Sequence, residues 1–66
     1  MKDRIRQVRL SLRQKPKMSQ NEFGGILGTT RNAIASYETG VVVPSDTFIQ
    51  LLCSKFFINE DWLRTG

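Results

Sequence analysis

The chain has no histidine and one cysteine, Cys53, in 66 residues. An internal disulfide is therefore excluded, and the usual nitrogen and sulfur metal sites and Cys/His nucleophilic pairs have no raw material. Cys53 lies in an apolar run and reads as an inert core thiol. Acidic residues are scarce, six against ten basic ones, for a net charge of +4. No apolar run approaches the length of about 20 residues that a membrane span needs. The opening "MKDRIRQVRL" lacks the unbroken apolar stretch of a signal peptide, so a cytoplasmic protein is expected. Asp3, Glu22, Asp46, Glu60 and Asp61 show no paired spacing suited to acid and base roles. The adjacent Gly24 and Gly25 fall within a helical pattern, not in a phosphate-binding loop. Neither an enzyme nor a cofactor site is expected.

Hydrophobic residues make up 39% of the chain and charged residues 24%, which reads as globular. A chain of this length is one domain, residues 1–66, and buries only about 60% of the surface its unfolded form exposes. A large enclosed substrate pocket does not fit that size. The charge is distributed unevenly. Residues 1–40 carry eight basic and three acidic side chains, residues 41–66 two basic and three acidic. A positive field confined to the first two thirds favours a polyanionic partner.

No segment alternates as a strand does for more than a few residues, and the periodicity is helical throughout. Ile5, Val8 and Leu12 form the inner stripe of a helix over about Lys2 to Arg13, with Arg4, Arg6 and Arg13 pointing away and Pro16 following its end. In "MSQNEF", Ser19 and Glu22 make a capping box, with Met18 and Phe23 placed as a hydrophobic staple. The helix they start ends at Gly28, suited to a left-handed position. One of Gly24 and Gly25 allows a close helix crossing; the other has no evident reason. Thr30 caps a third helix to about Thr39, stopped by Gly40. So short a link between the second and third helices forces a steep crossing, the helix-turn-helix arrangement. Pro44 marks the next boundary. A fourth helix starting at Ser45 and Asp46 carries Phe48, Ile49, Leu51, Leu52, Cys53 and Phe56 in a broad apolar stripe. Asn59 caps a last short helix, with Ile58 placed to staple onto Leu63 and with Trp62 and Leu63 closing the core.

The third helix has two unlike faces. Ala33, Ile34 and Tyr37 share one side, with Glu38 at its edge. Asn32, Ala35, Ser36 and Thr39 share the other, where Arg31 is the only charge. Ordinary exposed faces favour long Glu and Lys; a face of short uncharged residues suits close approach to another surface.

The motifs "MSQNEFGGILGTTRNAIASYETG", the following Pro44 and the closing "NEDWLRTG" together resemble the Cro/CI-type phage repressor helix-turn-helix family, also called the XRE family. Gln20, Leu27-Gly28, Ile34, Tyr37-Glu38, Gly40, Pro44 and Asp61-Trp62-Leu63 fall in family order over nearly the whole chain. The resemblance implies an all-α, compact five-helix lambda-repressor-like domain, with its helix-turn-helix over about residues 19–39. It implies a sequence-specific regulator of double-stranded DNA, a repressor of phage, prophage or bacterial type. The base-reading positions then fall on Thr30, Arg31, Asn32 and Ser36, and a phosphate contact falls on Gln20. Ser19 joins Gln20 there, and Lys17, Asn21 and Thr39 are further phosphate candidates by position. Arg9 and Glu38 match the family's buried ion pair, which their places on the helical wheels also suggest.

Three features depart from the family pattern. "RQKPK" lengthens the link between the first two helices by about four residues. Val41, Val42 and Val43 stand where basic residues are common, and Phe57 stands where a polar residue is common. These four apolar residues, with the outer flank of the fourth helix, are a candidate self-association surface for a homodimer on DNA. They equally suit ordinary core. They also support a competing reading, a helix-turn-helix module that binds protein in the manner of an antitoxin or antirepressor.

Overall fold

The computed structural model describes residues 1–65; Gly66, the last residue of the expected domain, lies outside the described residues. Five α-helices account for the regular structure among the described residues: α1 (Lys2–Ser11), α2 (Gln20–Ile26), α3 (Arg31–Thr39), α4 (Asp46–Phe56) and α5 (Glu60–Thr65). No strand occurs among the described residues. This is the all-α, lambda-repressor-like fold.

The starts of the helices are set by side chains that take orphan backbone N–H groups. The Ser19, Thr30 and Ser45 hydroxyls accept from the backbone N–H of Glu22, Ala33 and Phe48 respectively, and the Asn59 side chain accepts from the N–H of Trp62. In α2 the box is complete, because the Glu22 carboxylate also accepts from the Ser19 backbone N–H. At the other ends, Gly28 and Gly40 take φ of 72° and 81°, a left-handed region that glycine enters without steric cost. α1 stops short of Arg13. The Ser11 hydroxyl donates to the Val8 carbonyl, and the Leu12 N–H turns to the Arg9 carbonyl three residues back, at 3.4 Å, which breaks the regular ladder before Pro16 is reached.

Ile5 and Val8 of α1, Phe23 of α2, Leu27, Ile34 of α3, Phe48, Ile49 and Leu52 of α4, and Leu63 of α5 form one buried cluster. Phe23 stacks on Phe56 at 5.8 Å, and Tyr37 tilts against Phe48 at 4.7 Å. Leu12, Met18, Cys53, Phe56 and Ile58 are half-buried around it. Leu63 closes the core, but Trp62 does not: it is 39% exposed, with the Arg4 guanidinium 5.6 Å from its ring centre. Arg4 therefore turns toward α5 instead of pointing away, because an exposed indole face attracts a cation. Leu51 is also exposed, on the outer side of α4. The α5 end is held by Arg64, which bonds Asp46 at the start of α4 and Glu60 one turn back, each at 2.9 Å. Those two hydrogen bonds raise the Arg64 pKa.

α2 and α3 pack directly on each other, and α3 packs on α1. Gly24 makes the first contact possible. A Cβ there would lie 3.1 Å from the carbonyl carbon and oxygen of Thr30 and 3.2 Å from the Thr29 oxygen, closer than nearly all real Cβ contacts, so that the turn backbone would have to give by a few tenths of an ångström. The Thr29 N–H donates to the Gly24 oxygen at 2.8 Å, closing the turn. Gly25 has nothing within 4 Å of the same virtual atom.

Candidate nucleic-acid interface

α3 is anchored on its inner side and open on its outer side. Inward, Ile34 and Glu38 are buried. Outward, Thr30, Arg31, Asn32 and Thr39 are exposed, and Ala35 and Ser36 are half-buried. Arg31 makes no ion pair among the described residues. Thr30 spends the acceptor of its hydroxyl on the cap, at 3.1 Å from Ala33 N, and keeps its O–H donor. Thr30, Arg31 and Asn32 are thus exposed at the amino end of the helix, and Ser36 lies half-buried one turn further on.

The inner anchor is a polar knot joining three helices. Arg9 of α1 donates from Nε to Glu38 Oε2 at 2.7 Å and from Nη2 to Oε1 at 3.0 Å, the two-pronged geometry that matches a guanidinium to a carboxylate. Its Nη1 donates to the Met18 carbonyl at 2.7 Å, one residue before the α2 cap. Gln20, the first residue of α2, donates from Nε2 to Glu38 Oε1 at 3.2 Å. The Arg9 and Glu38 side chains are only 11% and 4% exposed, and no buried side-chain polar atom among the described residues lacks a partner. The contact between Gln20 and Glu38 is not visible from sequence, since nothing in residue spacing says that the start of α2 meets the end of α3.

The remaining phosphate candidates differ in how free their donors are. Asn21 is exposed on the first turn of α2. The Ser19 hydroxyl and backbone N–H both donate to Glu22 Oε1, at 3.2 and 3.4 Å. Lys17 Nζ lies over the open end of α1, donating to the Leu10 carbonyl at 3.3 Å and to Gln14 at 3.5 Å, where the helix dipole favours a cation. The Thr39 hydroxyl is 3.0 Å from the Ala35 carbonyl and 3.3 Å from that of Ser36. A phosphate would have to displace these internal acceptors. Arg13 is engaged too: it bonds Glu22 at 2.8 Å and the Pro16 carbonyl at 2.8 Å. Its guanidinium, joined by the Ser19 N–H, lowers the Glu22 carboxyl pKa, and the same bond raises that of Arg13.

Val41, Val43 and Phe57 are 78%, 76% and 94% exposed, and Val42 is about half exposed. They are not core. Phe57 also carries φ of 57° and ψ of 46°, a left-handed conformation that a bulky residue rarely adopts. Cys53 is half-buried, and burial raises its thiol pKa. Among the described residues no cluster of ligating side chains could hold a metal ion, and no helix is long and apolar enough to cross a membrane.

Residues 10–63 match the family model described as "Helix-turn-helix". A relative with 37% identity over 49 residues is the antitoxin PezA of Streptococcus pneumoniae serotype 4 (strain ATCC BAA-334 / TIGR4); the match covers 74% of this chain and 31% of that protein. The chain therefore spans about a third of the length of this relative. No solved structure matches. With Ser19 to Gly40 forming two capped helices around a glycine turn, and with most of its length matched to that family, the chain belongs to the Cro/CI-type, or XRE, helix-turn-helix family of DNA-binding regulators.

Proposed function

We propose that the chain is a sequence-specific, double-stranded DNA-binding transcriptional regulator, a cytoplasmic repressor of phage, prophage or bacterial type, acting as one helix-turn-helix domain without catalytic activity. The observation that carries this reading is the outer face of α3: Arg31 and Asn32 stand exposed at its amino end, and the residues behind them are short. A major groove about 12 Å wide admits one helix, and only short side chains let its axis come near the base edges. Arg31 offers a bidentate pair to guanine O6 and N7, and Asn32 offers one to adenine N6 and N7. Thr30 and Ser36 add less selective hydroxyl contacts. Gln20 and Asn21 at the start of α2 hold the sugar-phosphate backbone, joined by Lys17, Ser19 and Thr39 once these exchange their internal bonds for a phosphate.

One recognition helix reads few base pairs, so the active form is a homodimer on half-sites about one helical turn apart. Val41, Val42, Val43 and Phe57 supply its contact. Selection of bound duplexes from a random pool tests the reading: recovery of a two-fold symmetric motif supports it, and recovery of unrelated sequences with no salt-dependent affinity rejects it.

A second reading, a protein-interaction module of the antitoxin or antirepressor kind, rests on the same exposed apolar residues and on the similarity to an antitoxin. Retained partner capture by an Arg31→Ala, Asn32→Ala double variant, with no selected DNA motif for the wild type, would favour it.

A further inference from the structure

We infer that Glu38 is a positioning residue for the DNA backbone contact: it fixes the amide of Gln20 at the start of α2 and so couples the phosphate grip to the helix that reads bases. The inference rests on the DNA reading above and assigns Glu38 and Arg9 a role in it.

Arg9 alone satisfies the charge of Glu38, since its two prongs occupy both carboxylate oxygens. The third donor, Gln20 Nε2 at 3.2 Å, is not needed to neutralise the carboxylate. Its consequence falls on Gln20. A glutamine at the first position of a partly exposed helix start is ordinarily free to sample many rotamers. Here one N–H is committed to Glu38, so the nitrogen is held in place while its second N–H is left for another acceptor. The carboxylate would itself repel a phosphate. Arg9 cancels that repulsion and, through its bond to the Met18 carbonyl, fixes the backbone that enters α2. Arg9, Glu38 and Gln20 therefore act as one relay from α1 and α3 to the donor at the start of α2. Preorganising a donor before binding removes the ordering cost at the moment of binding.

The test separates position from stability by removing both charges together. A buried ion pair exchanged for apolar residues of similar size often leaves stability unchanged, so Arg9→Met with Glu38→Met is the background, its folding checked by thermal melting. Affinity is measured over a salt series for a duplex selected from a random pool by the wild-type protein and for a scrambled duplex of the same composition. In the wild-type background, Gln20→Met is expected to weaken both duplexes by about tenfold, the value of a hydrogen bond to a charged group. The salt slope stays unchanged, because a neutral donor releases no counterion. In the double-variant background the same change is expected to cost less than about twofold. Equal costs in the two backgrounds, or an altered salt slope, overturn the inference while leaving the DNA reading in place. Failure of the wild type to select any duplex overturns the DNA reading and the relay with it.

If the double variant does not fold, Gln20→Asn decides. Asparagine keeps the amide on a side chain one methylene shorter, which gives up the 3.2 Å bond to Glu38, so binding as weak as that of Gln20→Met is expected. Wild-type affinity for Gln20→Asn overturns the relay.

Discussion

Gly24 and Gly25 are chemically identical neighbours in α2, yet they meet different surroundings. A Cβ on Gly24 would meet the backbone of Thr29 and Thr30 at 3.1–3.2 Å, so Gly24→Ala must push the turn back by a few tenths of an ångström and is expected to lower the melting temperature. Gly25 faces open space. There Gly25→Ala removes only the entropic cost of glycine in a helix and is expected to stabilise by about 1 kcal/mol, a rise of about 4–8 °C in a domain of this size. Thermal melts of the two variants check both signs. Glu38 shows the opposite sensitivity. Glu38→Ala strands the Arg9 guanidinium, 11% exposed, without its partner. The expected loss is about 3–5 kcal/mol, most of the stability of a small domain; an unchanged melting curve would remove the ion pair from the account.

At the scale of the element, the proposed function divides the work between α2, which holds, and α3, which reads. Ser19 and Glu22 fasten the start of α2, and Arg13 reaches the same carboxylate from beyond the end of α1. Because these bonds lower the Glu22 pKa, their contribution is full above the ordinary carboxyl value of about 4.3 and is lost as pH falls through the lower folded value. Glu22→Gln is accordingly expected to flatten the acid limb of stability against pH, measured by melting between pH 2 and 6 on the order of half a unit apart. In the proposed function α3 carries the reading. Arg31→Ala is expected to leave melting unchanged, since the side chain is exposed and makes no ion pair among the described residues, and to relax preference at one base position by about 1–3 kcal/mol. Selection from a random pool with the variant measures that loss.

For the whole molecule, Phe57 concentrates two unfavourable features at one position, an aromatic ring in water and a left-handed backbone. Phe57→Gly relieves both. The isolated domain is expected to gain about 1 kcal/mol or more. Self-association, followed by sedimentation at several concentrations with and without selected DNA, is expected to weaken if Phe57 forms the dimer contact. Undiminished association would place that contact elsewhere.

The pattern of apolar residues and caps determined most of the architecture, because both act locally. Ser19, Thr30, Ser45 and Asn59 are read as helix starts from their neighbours alone, and each side chain accepts from the backbone N–H three residues on. The family resemblance and the open face of α3 were equally legible, since helical periodicity separates Asn32 from Ile34 without knowledge of any partner. Only the tertiary structure decided which glycine faces a neighbour, that Trp62 stays half outside under Arg4, and that Gln20 meets Glu38. These depend on where a second helix lies, and hydrophobic burial is non-directional. It states that helices will pack, whereas the shape of the packed surfaces states which side chains then touch.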